Sequence, residues 1–189
     1  MRNKILVIVL GALLPLANAC TPQGADKSSP QAPPPSAPPS GGAAQIHANL
    51  AQVMRGIMFP NSNVIFAAQS TDPKDVKPAK DPSTATDPLE SSYGGWAAVE
   101  NSGLALAEGA NLLMIPGRMC QNGKPVPMQN PDWAEFVQGL RDAGMAAYKA
   151  AQSKSQDNIL MATDTLTTAC MKCHDKYREK PGGDKDRCM

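Results

Sequence analysis

Aromatic residues make up only 4% of the 189 residues, and histidine appears twice, as His47 and His174. So sparse a set excludes a large aromatic core and any site that needs several imidazoles. The most apolar stretch, 5–16, is too short for a bilayer-spanning helix. Period-two alternation is absent, which argues against a sheet, and no βαβ pattern is present to house a thioredoxin-type redox pair. A second Cys-x-x-Cys pair is missing too, so the chain does not offer four cysteines at structural-zinc spacing. Charge of one sign is not in excess, with 18 Lys and Arg against 17 Asp and Glu. Nucleic acid is therefore not an expected partner.

What is present begins with Arg2 and Lys4, an apolar run and then Ala17-Asn18-Ala19 before Cys20. A basic start, a short apolar segment and small residues at the cut site predict a signal peptide over 1–19 and an exported chain headed by Cys20. Removing Arg2 and Lys4 leaves 16 basic residues against 17 acidic ones. Cys20 has two readings: an incidental neighbour of an ordinary cut site, or the lipidated cysteine of a bacterial lipoprotein. Ala17 departs from the Leu, Val or Ile usual three residues before such a cysteine. The stretch 20–44, rich in Pro, Ser, Ala and Gly and nearly uncharged, favours the anchor, because it cannot bury a core and suits a tether. Lipidation at Cys20 and localisation at the bacterial periplasm or cell surface, held to a membrane, are the expectations.

The remaining stretch, 45–189, is roughly 145 residues, enough for one domain. Apolar spacing predicts four helices. The first covers about 45–58, with Ile46, Leu50, Val53, Met54, Ile57 and Met58 on one stripe, and Pro60 stops it. A long Pro-rich connection over 61–93 follows, in which Val64-Ile65-Phe66 reads at most as a short packed turn. The second helix covers 95–115, and a Gly-, Pro- and Asn-rich loop over 117–130 leads to a third that starts at Pro131-Asp132. Small residues Ala143, Gly144 and Ala147 on the third admit a close neighbour, a helix rather than a flat cofactor being the plainer choice. The fourth covers 156–180 and ends before Pro181-Gly182-Gly183. The fold class expected is all-α, an antiparallel four-helix bundle, in which cofactor sites lie between facing helices.

On the fourth helix stands Cys170-Met171-Lys172-Cys173-His174. Two cysteines three apart with a histidine directly after them is the spacing of covalent haem attachment: each thiol adds to a vinyl group and the imidazole takes the iron. Positions i, i+3 and i+4 share one helical face. One haem c, bonded to Cys170 and Cys173 and ligated by His174, is the expected cofactor. A buried porphyrin would add the apolar bulk that few aromatics leave missing. Cys120 and Cys188 then remain as an even pair in an oxidising compartment, either bonded to each other or free, Cys188 being one residue from the end. Arg118 in the loop reads as a solvated cation or a partner for a haem propionate.

Motif and layout together resemble the cytochrome c prime family, a four-helix-bundle class of c-type cytochrome. The resemblance covers the roughly 145 folded residues in layout and is most specific at 170–178, where Tyr177 and Arg178 match an aromatic residue and an arginine that commonly follow the motif. It implies that Tyr177 and Arg178 belong to the haem environment. A helix-end cation favoured by the dipole is the plain alternative for Arg178. The resemblance also implies a residue on the first helix facing the iron, a bulky aliphatic group in high-spin members and a methionine in low-spin relatives. Met54, or alternatively Met58, is the candidate, although methionines at i and i+4 equally suit core filling. The long connection after the first helix and Cys120 depart from the family.

The expected function is single-electron transfer by a non-enzymatic periplasm-facing cytochrome, with a redox partner protein engaged through a small contact. The alternative is a gas-binding (NO or CO) haem protein with an open sixth position. Peroxidase chemistry would need a distal acid-base group, and only His47 is available besides His174. Pairing of two such bundles as a homodimer stays open.

Overall fold

The computed structural model describes residues 44–188, apart from the side chain of Asp184. The predicted signal peptide over 1–19, Cys20 and the tether up to residue 43 lie outside the described residues. Four helices account for the architecture, and no strand occurs among the described residues. None of these helices is long and apolar enough to cross a membrane.

The first helix, α1, runs over 50–70 in three successive pieces: Leu50–Val53, a π-helical turn Met54–Met58, and Phe59–Ser70. It starts five residues later than the stripe predicts, because Asn49 caps it. The Asn49 side chain accepts from the Gln52 amide, and the Gln52 side chain accepts from the Asn49 amide, both at 2.9 Å. Pro60 does not end the helix, contrary to the expectation from sequence. The widened turn hands the Phe59 amide to the carbonyl of Met54, five residues back, and Pro60 then sits in the first turn of the next segment. There a missing N–H costs no regular hydrogen bond. Asn61 donates its side-chain amide to the Ile57 carbonyl at 2.7 Å, which satisfies a group the shifted register frees. Val64, Ile65 and Ala68 are consequently buried helical core, not a turn in a long connection.

The chain from Thr71 to the second helix is held by Pro82–Thr84 and Pro88–Glu90, two short 3-10 turns capped by Asp81 and Asp87. Helix α2 spans Trp96–Gly109 and tightens into a 3-10 turn over Ala110–Met114. Helices α3 (Pro131–Ser153) and α4 (Gln156–Tyr177) follow the predicted starts. A two-residue link, in which Lys154 adopts a left-handed conformation, reverses the chain between them.

Each helix packs on two neighbours: α1 on α2 and α4, and α3 on α2 and α4. Neighbours run antiparallel. Gln156 at the start of α4 donates to the Ala68 carbonyl at the end of α1, at 2.7 Å. Trp133 at the start of α3 donates its indole N–H to Leu113 at the end of α2, at 3.2 Å.

Helices α2 and α3 cross on two glycines. A Cβ at Gly103 would lie 2.7 Å from the Tyr148 amide nitrogen, and one at Gly144 would lie 2.7 Å from the Gly103 carbonyl oxygen. Both obstacles are backbone, so the helices themselves would have to separate. Gly144→Ala is expected to cost about 2 kcal/mol, read by urea unfolding. An unchanged midpoint would mean that the helices do not meet so closely. The small stripe 143–147 is thus covered by a helix, the plainer of the two expectations.

A disulfide between Cys120 and Cys188 ties the chain after α4 to the loop between α2 and α3. The Cys188 amide donates to the Tyr177 carbonyl at 2.9 Å, and the Asn122 side chain donates to the carbonyls of Lys185 and Arg187 at 3.1 and 2.7 Å. The loop in turn caps α1, its Met119 carbonyl accepting from the Leu50 amide at 2.8 Å. Arg118 is not solvated, contrary to the plainer expectation. Only 3% exposed, it donates to the carbonyls of Leu112 and Ala48 at 2.8 and 2.5 Å and locks the loop to the ends of two helices.

Candidate functional site

Between α1, α3 and the end of α4 lies a cleft of about 280 Å³. Cys170, Cys173 and His174 reach it from α4 because positions i, i+3 and i+4 stack on one face. Both cysteines are free and half-buried. Met54, Met58 and Phe59 line it from α1, and Leu106, Leu113, Trp133, Val137 and Leu140 form its floor. The lining is mostly apolar. The polar side chains bordering it are Ser62, His174 and three arginines, Arg55, Arg178 and Arg187, with no carboxylate among them.

Electrostatics follow from burial. Withdrawal from water pushes both thiols up, Cys173 to about 11 with help from the charges of Cys170 and Asp132, while Arg178 partly offsets the rise at Cys170. Burial first, then the Arg178 charge, lowers the His174 imidazole. Near neutral pH the site therefore presents two protonated thiols and a neutral imidazole with a free lone pair. Among the described residues, no group of three or more His, Cys, Asp or Glu side chains converges as a metal site.

The two methionines differ in environment. Met58 is buried, and its thioether end packs where a Gly109 Cβ would stand, 2.9 Å from Cε and 3.4 Å from Sδ. Met54 is half-buried and faces the same cleft from the π turn. Phe59, also at the cleft, is 64% exposed.

Tyr177 does not line the cleft. Its ring stands edge-on to Trp133 and Phe136 at 5.0 and 6.2 Å, and its hydroxyl donates to Asp132 at 2.5 Å and accepts from Asn130 at 3.1 Å. It joins the end of α4 to the start of α3 and supports the cleft from behind Trp133. The Tyr177 hydrogen bond, above all, and then Lys176 hold the Asp132 carboxyl below the usual carboxylate range. Because the folded value is depressed, this stabilisation is present above the ordinary carboxylate value and is lost as pH falls through the folded one. Tyr177→Phe is expected to lower stability at pH 6 more than at pH 2, narrowing the gap between the two. Equal losses in urea unfolding at both pH values would contradict this.

Arg55, Phe59 and Arg187 were not legible as site residues. Arg55 lies in, and Phe59 directly follows, a π turn that apolar periodicity does not register, and Arg187 reaches the cleft beside the Cys120–Cys188 bond. The even cysteine pair was the available signal for the last of these. Family models, curated proteins and solved structures were all compared with the chain, and none matches.

Proposed function

We propose that the chain is an exported c-type cytochrome that carries single electrons through one haem c, laid out as a helical bundle like the cytochrome c prime family. One observation carries the proposal: the thiols of Cys170 and Cys173 and the imidazole of His174 open together onto an apolar cleft whose opposite wall bears a methionine. The residues present fit the group. Cys170 and Cys173 would hold it by thioethers and His174 would take one axial position of the iron. When bound, haem supplies one-electron exchange at its iron. Leu106, Leu113, Trp133 and Val137 keep water from the site and lower its dielectric. The Met54 thioether, which lines the cleft, would be the second protein ligand to the iron, and such a His and Met pair would favour the ferrous state. Met58 serves as packing against Gly109.

Lipid attachment at Cys20 and a redox partner protein meeting the cleft's rim belong to the same proposal. Absorption spectra of the exported protein in both oxidation states test it. A six-coordinate spectrum, with slow carbon monoxide binding to the ferrous form, is expected. Fast binding would favour the gas-binding alternative, with Met54 and Met58 as apolar walls.

A further inference from the structure

Helix α1 is held at both ends and carries, between them, one residue more than a regular helix would use. Its first segment is set by the Asn49 cap and by the Met119 carbonyl, which accepts from the Leu50 amide at 2.8 Å. Its last segment is set by the burial of Val64, Ile65 and Ala68. The surplus is taken up at Met54–Met58, where the Phe59 amide reaches five residues back to Met54 instead of four to Arg55. Relative to a regular helix continued back from Phe59–Ser70, the widened turn rotates Met54 and the residues before it by about 100°, the turn of one residue. The side of the helix on which Met54 stands therefore depends on where the surplus is placed.

Two residues place it. Pro60 has no N–H to give the Gly56 carbonyl, and in a regular helix its ring would meet that carbonyl. Asn61 donates through its side chain to the Ile57 carbonyl at 2.7 Å, the group that a regular helix would pair with the Asn61 backbone amide. Together they disfavour the regular register directly ahead of the long segment and leave the wide turn at Met54–Met58. Gly56, in the middle of that turn, is exposed, and a Cβ there would have nothing within 4 Å, so this residue adds no packing of its own.

We propose that Pro60 and Asn61 are positioning residues for the iron's second protein ligand: by fixing the π turn, they aim the Met54 thioether into the cleft that His174 borders. This rests on the reading of a haem held by His174 and Met54. Neither Pro60 nor Asn61 lines the cleft, so their effect on the iron passes through the helix register. Without them the longer Phe59–Ser70 segment keeps its buried face, and the short segment carrying Met54 turns away. Met58 adjoins the longer segment and keeps its place against Gly109.

The experiment uses the full haem-loaded chain carrying Pro60→Ala, Pro60→Ala with Asn61→Ala, or that pair with Gly56 deleted. Three signals are read: far-red absorption of the ferric form, the carbon monoxide binding rate of the ferrous form, and the NMR coupling across the hydrogen bond of the Phe59 amide. The unaltered chain should couple Phe59 to Met54. The paired variant should couple it to Arg55, lose the far-red band and bind carbon monoxide at least about tenfold faster, as the ligated population falls. Pro60→Ala alone should move the same way by less. Deleting Gly56 from the paired variant removes the surplus residue and lets both segments keep their faces in a regular helix. It should return the Phe59 coupling to Met54, now four residues back, and restore the band and slow binding. An unchanged band in the paired variant would overturn the proposal. So would a lost band that the Gly56 deletion fails to restore, the mark of general loosening. A five-coordinate spectrum in the unaltered chain would instead overturn the methionine-ligand reading beneath it.

Discussion

Replacing Cys170 and Cys173 together by alanine is expected to reduce covalent haem to background while leaving a helical protein. Both side chains are half-buried at the cleft, and alanine keeps α4 intact because it is the strongest helix former. Neither thiol takes part in the Cys120–Cys188 bond, so the crosslink and the packing of α4 on α1 and α3 should persist. Each single variant retains one thiol and should yield protein with one thioether and lower haem content. The measurements are haem absorption after denaturing gel separation and far-ultraviolet circular dichroism. Wild-type levels of denaturation-resistant haem in the double variant would contradict the assignment of these two cysteines. Loss of helix together with haem would show that the thiols hold the fold itself.

The second large effect concerns the other side of the iron. Met54→Ala is expected to convert a six-coordinate site into a five-coordinate one and to turn slow carbon monoxide binding into fast binding. Met54 lines the cleft from the π turn without the tight packing that commits Met58 to Gly109. Met58→Ala should instead leave the spectrum in place and cost about 2–4 kcal/mol in unfolding, the usual range for emptying a buried methionine. Both variants keep the haem motif, so the comparison separates ligation from packing. A five-coordinate spectrum in Met58→Ala with none in Met54→Ala would reverse the assignment. No spectral change in either would remove methionine ligation altogether.

How much of this could be read from residues alone varies with the physics involved. Pro131-Asp132 marked a helix start correctly because N-terminal preferences are local, and the start at Gln156 followed from apolar spacing. Pro60 misled because its effect depends on hydrogen-bond register. One π turn places it where a proline is harmless, and apolar spacing carries no trace of that turn. The missed helical stretch beyond Pro60 buries Val64 and Ile65, so the connection to α2 is shorter than predicted. Arg118 illustrates a different limit. Its burial depends on the carbonyls of Leu112 and Ala48, groups from separate segments that only the folded chain brings together.

Within the site, helical periodicity alone justified placing Cys170, Cys173 and His174 on one face, and the structure turns that face to an apolar cleft. Tyr177 shares the Cys170 and Cys173 face by spacing, and at the end of α4 it braces Trp133 and Asp132 beside the cleft without lining it. Arg178 does border the cleft. The rim built with Arg55 and Arg187 depends on a pairing of cysteines 68 residues apart, which residue order does not specify.

The central claim is a haem bonded to Cys170 and Cys173. It is tested most directly by intact-mass measurement of the denatured, exported chain, made in a host that attaches haem to exported proteins. The expected result is a chain heavier by the mass of one haem, with that mass confined to the peptide containing 170–174 after proteolysis. A mass matching the unmodified polypeptide, with both thiols open to alkylation, would contradict it.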